Sequence, residues 1–349
     1  MNQEFLLELL KTTSPSGQEM AIQKKWRDYV KQFADEVRTD YAGNVIAILN
    51  PDAKFKVLLA GHADEIALMV NRIDENGYLF FDKVGGVNIK AAVGMRVTVL
   101  GKSQSITGVI GVNAQHHGGI KDAFGVEELF IDCGFRSQKE ALEYVNIGDY
   151  VVYKRDPEIL MDRFLSGRGL DNRTGAFIVA EVLKRLKEAG CQVGVYSVST
   201  VNEETNMGGA YFAASGIEPT MAIACDVTFA TDYPTVNKNK YGDVKLEHGP
   251  VLAKGAPINI KINQLLEETA EKLQMNLQYE LTPRMTGTDA DRMRLTGKGV
   301  PVALVSLPLR YMHSPVETAS FKDIEDEIKL LTEMIHQLDG TENLNPLDD

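Results

Sequence analysis

Cysteine is scarce. Cys133, Cys191 and Cys225 are the whole complement, far apart and in no CxxC spacing. That excludes a disulfide framework and a thiolate zinc site, and it makes a reducing cytoplasm the expected setting. Positive charge is in the minority: 37 Lys and Arg stand against 49 Asp and Glu, a net charge of -12. A surface of that sign disfavours nucleic acid and anionic membranes as partners. No uncharged run is long enough to span a bilayer. The stretch from Met1 to Leu10 lacks the basic head and the apolar core of a signal peptide. Tryptophan occurs once, as Trp26, which is poor provision for a sugar-stacking cleft.

What remains is ordinary for a soluble globular protein: 44% hydrophobic and 25% charged over 349 residues, enough for one large domain or two smaller ones. Apolar period predicts a helix up to about Lys11, broken by Ser14-Pro15-Ser16-Gly17, and a second helix with Ile22, Trp26, Val30 and Phe33 on one face. Strands are predicted over 45–49 and 57–60. From 67 to 162 the texture changes to short strand-like pieces punctuated by glycine, with one helical stretch near 139–145. Helix and strand alternate again from Leu170, ending in a helix from Ser320, with Asp323 placed for a capping-box variant, and an acidic tail expected to fray. The expected fold is therefore α/β, a mixed sheet covered by helices (1–66 and 163–349), with a small β-barrel (67–162) inserted.

Glu203-Glu204 closes the apolar strand predicted over 193–201. Neighbours in extended chain point to opposite sides, so one acid can ligate a cation while the other faces water or substrate. Similar chemistry sits where other apolar runs end: His62-Ala63-Asp64, Asp171-Asn172, Asp226 and His313. Each has an ordinary reading alone, Asp171 as a helix N-cap, Asp226 as a turn acid, His62 as a hydrogen-bonded surface imidazole. Together they fit an α/β sheet whose strand ends line one crevice. A mixed histidine and carboxylate set suits zinc, cobalt or manganese and suits calcium poorly. One carboxylate can bridge two such ions in a hydrolytic site. Asp64 shares a strand face with His62 and can fix its tautomer. His116-His117, in a glycine-rich loop, has no acids around it and reads as loop, while His248 and His336 look incidental.

Gly61-His62-Ala63-Asp64-Glu65-Ile66, Leu170-Asp171-Asn172-Arg173-Thr174-Gly175, Glu203-Glu204, Asp226-Val227-Thr228, Gly287-Thr288-Asp289-Ala290 and Arg310-Tyr311-Met312-His313-Ser314-Pro315 span nearly the whole chain. In that order they resemble the M42 metalloaminopeptidases, the group of glutamyl and tetrahedral aminopeptidases. The resemblance implies a zinc-peptidase-like catalytic domain and two divalent metal ions per subunit, zinc or cobalt, with manganese also possible chemically. It implies His62 and Asp226 on one metal, Glu204 and His313 on the other, Asp171 bridging, Glu203 as general base and Asp64 orienting His62. It also implies peptide substrates with a free N-terminus, a dimerising barrel and a homo-oligomer, in many members a dodecamer built from dimers. The chain departs from the family pattern after the paired acids, where Asn206 replaces a glycine suited to left-handed backbone and Gly208 replaces an arginine. A glycoside hydrolase using a carboxylate pair and a non-catalytic metal-stabilised assembly protein are the alternatives; the first leaves His62, Asp226 and His313 without work.

Overall fold

The computed structural model describes residues 1–121 and 123–348. Four parallel strands carry the crevice: Gly194–Thr200, Lys56–His62, Met221–Phe229 and Val302–Leu309, side by side in that order within an eight-stranded sheet. Every residue of Gly194–Thr200 and of Val302–Leu309 is buried, as strands covered on both faces must be. Val45–Leu49 and Glu36–Thr39 extend one edge in antiparallel sense. Val251–Gly255 runs antiparallel on the other side, with Gln278–Thr282 parallel to it. The sheet is therefore mixed.

Helices cover both faces. Phe177 and Leu183 of Leu170–Ala189, Ile324 and Ile328 of Phe321–His336, Leu6 and Leu9 of Gln3–Lys11, and Trp26 pack into one core. Trp26 spends its only donor on the Ala176 carbonyl at 2.7 Å, so this large ring is buried without an orphaned N–H. Ala210, Ala213 and Ile217 of Gly208–Ile217, with Met293, pack on the other face.

Between the strand ending at His62 and the hairpin Glu158–Leu160/Phe164–Gly167, the chain closes a six-stranded antiparallel barrel. Around the barrel run Ala67–Ile73, Leu79–Val84, Phe130–Asp132, Ser105–Gly111, Arg96–Leu100 and Tyr150–Tyr153, with Leu79, Val97, Val99 and Ile131 fully buried inside. The expected helix near 139–145 is Gln138–Tyr144.

Several local expectations change. Asp323 does not close a capping box: Ser320 caps the last helix through Lys322 N–H, and the Asp323 carboxylate turns away to accept the Glu247 and Gly249 N–H groups. Leu344 is buried in the main core, and its carbonyl accepts from Asn259 Nδ2 at 3.0 Å, so the tail is docked there. Asp349 lies outside the described residues. Glu203 and Glu204 do not continue an extended strand. Asn202, at φ 59°, turns the chain left-handed, and Glu203–Asn206 is a short helical turn. Met207, also at φ 59°, adopts the left-handed backbone expected of Asn206.

Candidate active site

The parallel strands bring the candidate acids and imidazoles to one height. Thr200 pairs with His62, and Ala224 pairs with Ala60, which puts Asp226 level with His62 one strand over. Asp171 arrives from the start of Leu170–Ala189. That helix lies unusually close to the sheet because two glycines meet there: a β-carbon on Gly61 would fall 2.3 Å from the Gly175 carbonyl carbon. Asn172 ties the same turn to the strand of Asp226, donating to the Cys225 carbonyl at 2.7 Å and accepting from Gly175 N–H at 2.9 Å.

Asp171 is buried between two imidazoles. Its Oδ1 lies 3.2 Å from His62 Nε2, and its Oδ2 lies 3.2 Å from His313 Nε2. His62 Nε2 is also 3.6 Å from Glu203 Oε2 and 3.9 Å from Asp226 Oδ1. His313 Nε2 is 3.7 Å from Glu204 Oε2. His62, Glu203 and Asp226 offer ligand atoms within 4.8 Å of one another, and so do His62, Asp171 and Glu204. Asp64 is fully buried. Its two oxygens accept the N–H groups of Glu203 and Glu204, each at 3.1 Å, and Oδ1 lies 3.3 Å from His62 Nδ1. One carboxylate thus braces both the imidazole and the turn carrying the paired acids. Of the residues singled out in sequence, all seven meet here. His116 and His117 sit on an exposed turn away from the cavity. His248 and His336 each bond a backbone carbonyl, Leu246 and Gly190.

The site crowds the carboxyls of Asp64, Asp171, Glu203, Glu204 and Asp226 against two imidazoles. Burial pushes the carboxyls of Glu203, Glu204 and Asp226 well above their ordinary range, and the neighbouring acids push the same way. Burial likewise raises Asp289 to about 6. Burial disfavours a charged His62, yet the surrounding carboxylates Glu203, Asp171 and Asp64 outweigh it and lift its pKa. Burial also works against an ionised Asp171, but the two imidazoles win and hold it below the usual carboxylate range. Glu204 Oε1 is buried with no hydrogen-bond partner among the described residues. Divalent metal would satisfy that orphan and offset the crowded acids, so the donor set fits metal.

A family model described as M42 glutamyl aminopeptidase matches residues 43–330. The chain belongs to that family. The M42 chain is accordingly a peptidase, and its family implies use of a divalent metal. It is 35% identical to the lysyl aminopeptidase of Pyrococcus furiosus over 96% of its own length and 97% of that protein. Among solved structures it superposes on a TET aminopeptidase of a marine-sediment Thaumarchaeota archaeon at TM-score 0.91 and 30% identity, covering 97% of this chain and 96% of the other. The TET1 peptidase of Pyrococcus horikoshii, which can assemble into a tetrahedron or a large octahedral shell, matches at TM-score 0.85 and 30% identity, over 96% and 99% of the two chains.

Three further residues shape the M42 site without having been singled out. Glu317 is buried and accepts the N–H of His313 at 2.8 Å and that of Asp171 at 3.2 Å, tying together the two loops that face each other; burial and the nearby Asp171 raise its pKa to about 8. The carbonyl of Gly86, just beyond the barrel strand Leu79–Val84, accepts from His313 Nδ1 at 2.9 Å, and a β-carbon on Gly86 would lie 2.6 Å from the same atom. Glu280 lines the far wall of the cavity, which holds about 430 Å³. An acid two residues before the Thr282 strand end was the only signal of Glu280. Neither Arg310, which pairs with Asp232, nor Arg292, whose Nε donates to the Asn206 carbonyl at 3.2 Å, lines the cavity.

Proposed function

We propose that the chain is a two-metal aminopeptidase that removes the N-terminal residue from peptides. His62 and Asp226 would hold one ion, Glu204 and His313 the other, and Asp171 would bridge them. The observation that carries this is the double-faced Asp171, with each carboxylate oxygen 3.2 Å from a different imidazole. Bound there, zinc, cobalt or manganese ions would supply a water of lowered pKa and a Lewis acid for the scissile carbonyl. The rest falls to the chain. Glu203 Oε2, 3.6 Å from His62 Nε2, takes the proton of the attacking water and returns it to the leaving amine. Asp64 holds the His62 ring and, through its two backbone bonds, the turn that aims Glu203. The acids around the cavity attract the free α-ammonium of a peptide, which favours trimming from the end.

Residues 1–66 and 163–349 would form the catalytic domain. The inserted 67–162 would serve dimerisation within a homo-oligomer, in line with the assemblies of the TET1 relative. Stripping metal and restoring zinc, cobalt or manganese separately tests the reading. Hydrolysis of aminoacyl-p-nitroanilides should vanish with chelator and return with an ion, and blocked N-termini should resist. Activity that survives complete stripping would contradict it.

A further inference from the structure

The cavity does not end at the metal-binding cluster. Its far wall carries an acid for which the hydrolytic chemistry has no task. Glu280 lies on Gln278–Thr282 and points toward the central strands, where Oε1 accepts from Ser306 Oγ and Oε2 from Thr228 Oγ1, both at 2.6 Å. Each oxygen keeps a further lone pair, so the two hydroxyls fix the carboxylate's position without exhausting it. Burial raises its pKa, and an incoming cation would offset that cost.

The placement sets a distance. Thr228 follows Asp226 by two residues on one strand, so both face the same side, about 7 Å apart along the chain. An extended lysine side chain carries its ammonium about 6 Å from the α-carbon. A substrate whose reacting end sits beside Asp226 therefore brings a long N-terminal side chain to Glu280. Phe229, Leu304 and Met207 line the same cavity and offer apolar surface to a methylene stem. Among the described residues, no lysine or arginine lines the cavity, so nothing there neutralises Glu280 or welcomes an acidic side chain.

We propose that Glu280 selects substrates with a cationic N-terminal side chain, lysine or arginine. This rests on the aminopeptidase reading of the same cavity. The test compares L-lysine and L-norleucine p-nitroanilides, which differ in charge at nearly equal length, on metal-loaded wild type and Glu280→Gln. The wild-type ratio of kcat/KM, lysyl over norleucyl, should be well above one and should fall about thirtyfold in the variant, the loss of one charge-assisted hydrogen bond. Glu280→Asp, one methylene shorter, should give an intermediate ratio. A wild-type ratio at or below one, or a ratio unmoved by Glu280→Gln, overturns the proposal. Calorimetric binding of lysine and norleucine hydroxamates provides a second arm that needs no turnover and should show the same preference and the same loss. If wild type cleaves neither substrate, the aminopeptidase reading fails, while the hydroxamates still decide the role of Glu280.

Discussion

At the residue scale, Asp171 and Glu203 sit in different surroundings, and the proposed roles differ accordingly. Asp171 has both oxygens committed to imidazoles, whereas Glu203 stands beside the cluster with its carboxyl pushed up by burial. Replacing Glu203 by Gln should leave metal content unchanged by elemental analysis and lower turnover by about two orders of magnitude or more. Replacing Asp171 by Asn should instead deplete metal, because the proposed bridge would lose its charge. The acids and imidazoles were legible in sequence because each follows an apolar run toward one end of a parallel sheet, although Asp226 lies within Met221–Phe229 and does not end it. Glu280 and Glu317 were not legible. Their roles depend on contacts to Thr228 and Ser306, and to the backbone of Asp171 and His313, which are distant in sequence. The opposed-face argument for Glu203 and Glu204 also failed in its premise, since the left-handed Asn202 ends the strand before them.

Elements show where packing overrides local signal. The central strands were readable because apolar residues dominate them. Glu36–Thr39 was missed because it is a charged, half-exposed edge strand, and Val251–Gly255 because it is short and bounded by Gly249-Pro250. Two elements carry predictions. The segment after Leu79–Val84 leaves no room beside His313, so Gly86→Ala should displace that imidazole and weaken metal retention against a competing chelator by roughly tenfold or more. The last helix buries Glu327 completely, and neither of its oxygens has a partner among the described residues. Burial raises its pKa well above the ordinary 4.5, with Asp226 and Asp323 adding to the effect. An acid raised in the folded state stabilises fully below its unfolded value and loses that contribution as pH climbs toward the folded one. Glu327→Gln should therefore melt near wild type at about pH 5 and higher than wild type at about pH 8, with the gap growing between them. An unchanging gap would mean Glu327 is ionised and partnered.

At the scale of the whole molecule, the α/β frame and the barrel were both visible in texture, the barrel because short strands and glycines replace helical period after Ile66. What texture could not reveal is that the barrel reaches back to the site, through Gly86 against His313. Barrel and candidate metal cluster are thus joined by two hydrogen bonds between distant parts of the chain, the second from Asn88 N–H to the His313 carbonyl. If the barrel serves dimerisation, light scattering should give a mass that is a multiple of the 38.5 kDa subunit, and deleting the barrel should abolish assembly. The central claim is that this chain holds two metal ions around Asp171. Anomalous diffraction from crystals grown with zinc or cobalt tests it most directly. Two peaks are expected in each subunit, one bounded by His62 and Asp226, the other by Glu204 and His313, with Asp171 between them. A single peak, or metal bound elsewhere with this cluster empty, would contradict the account.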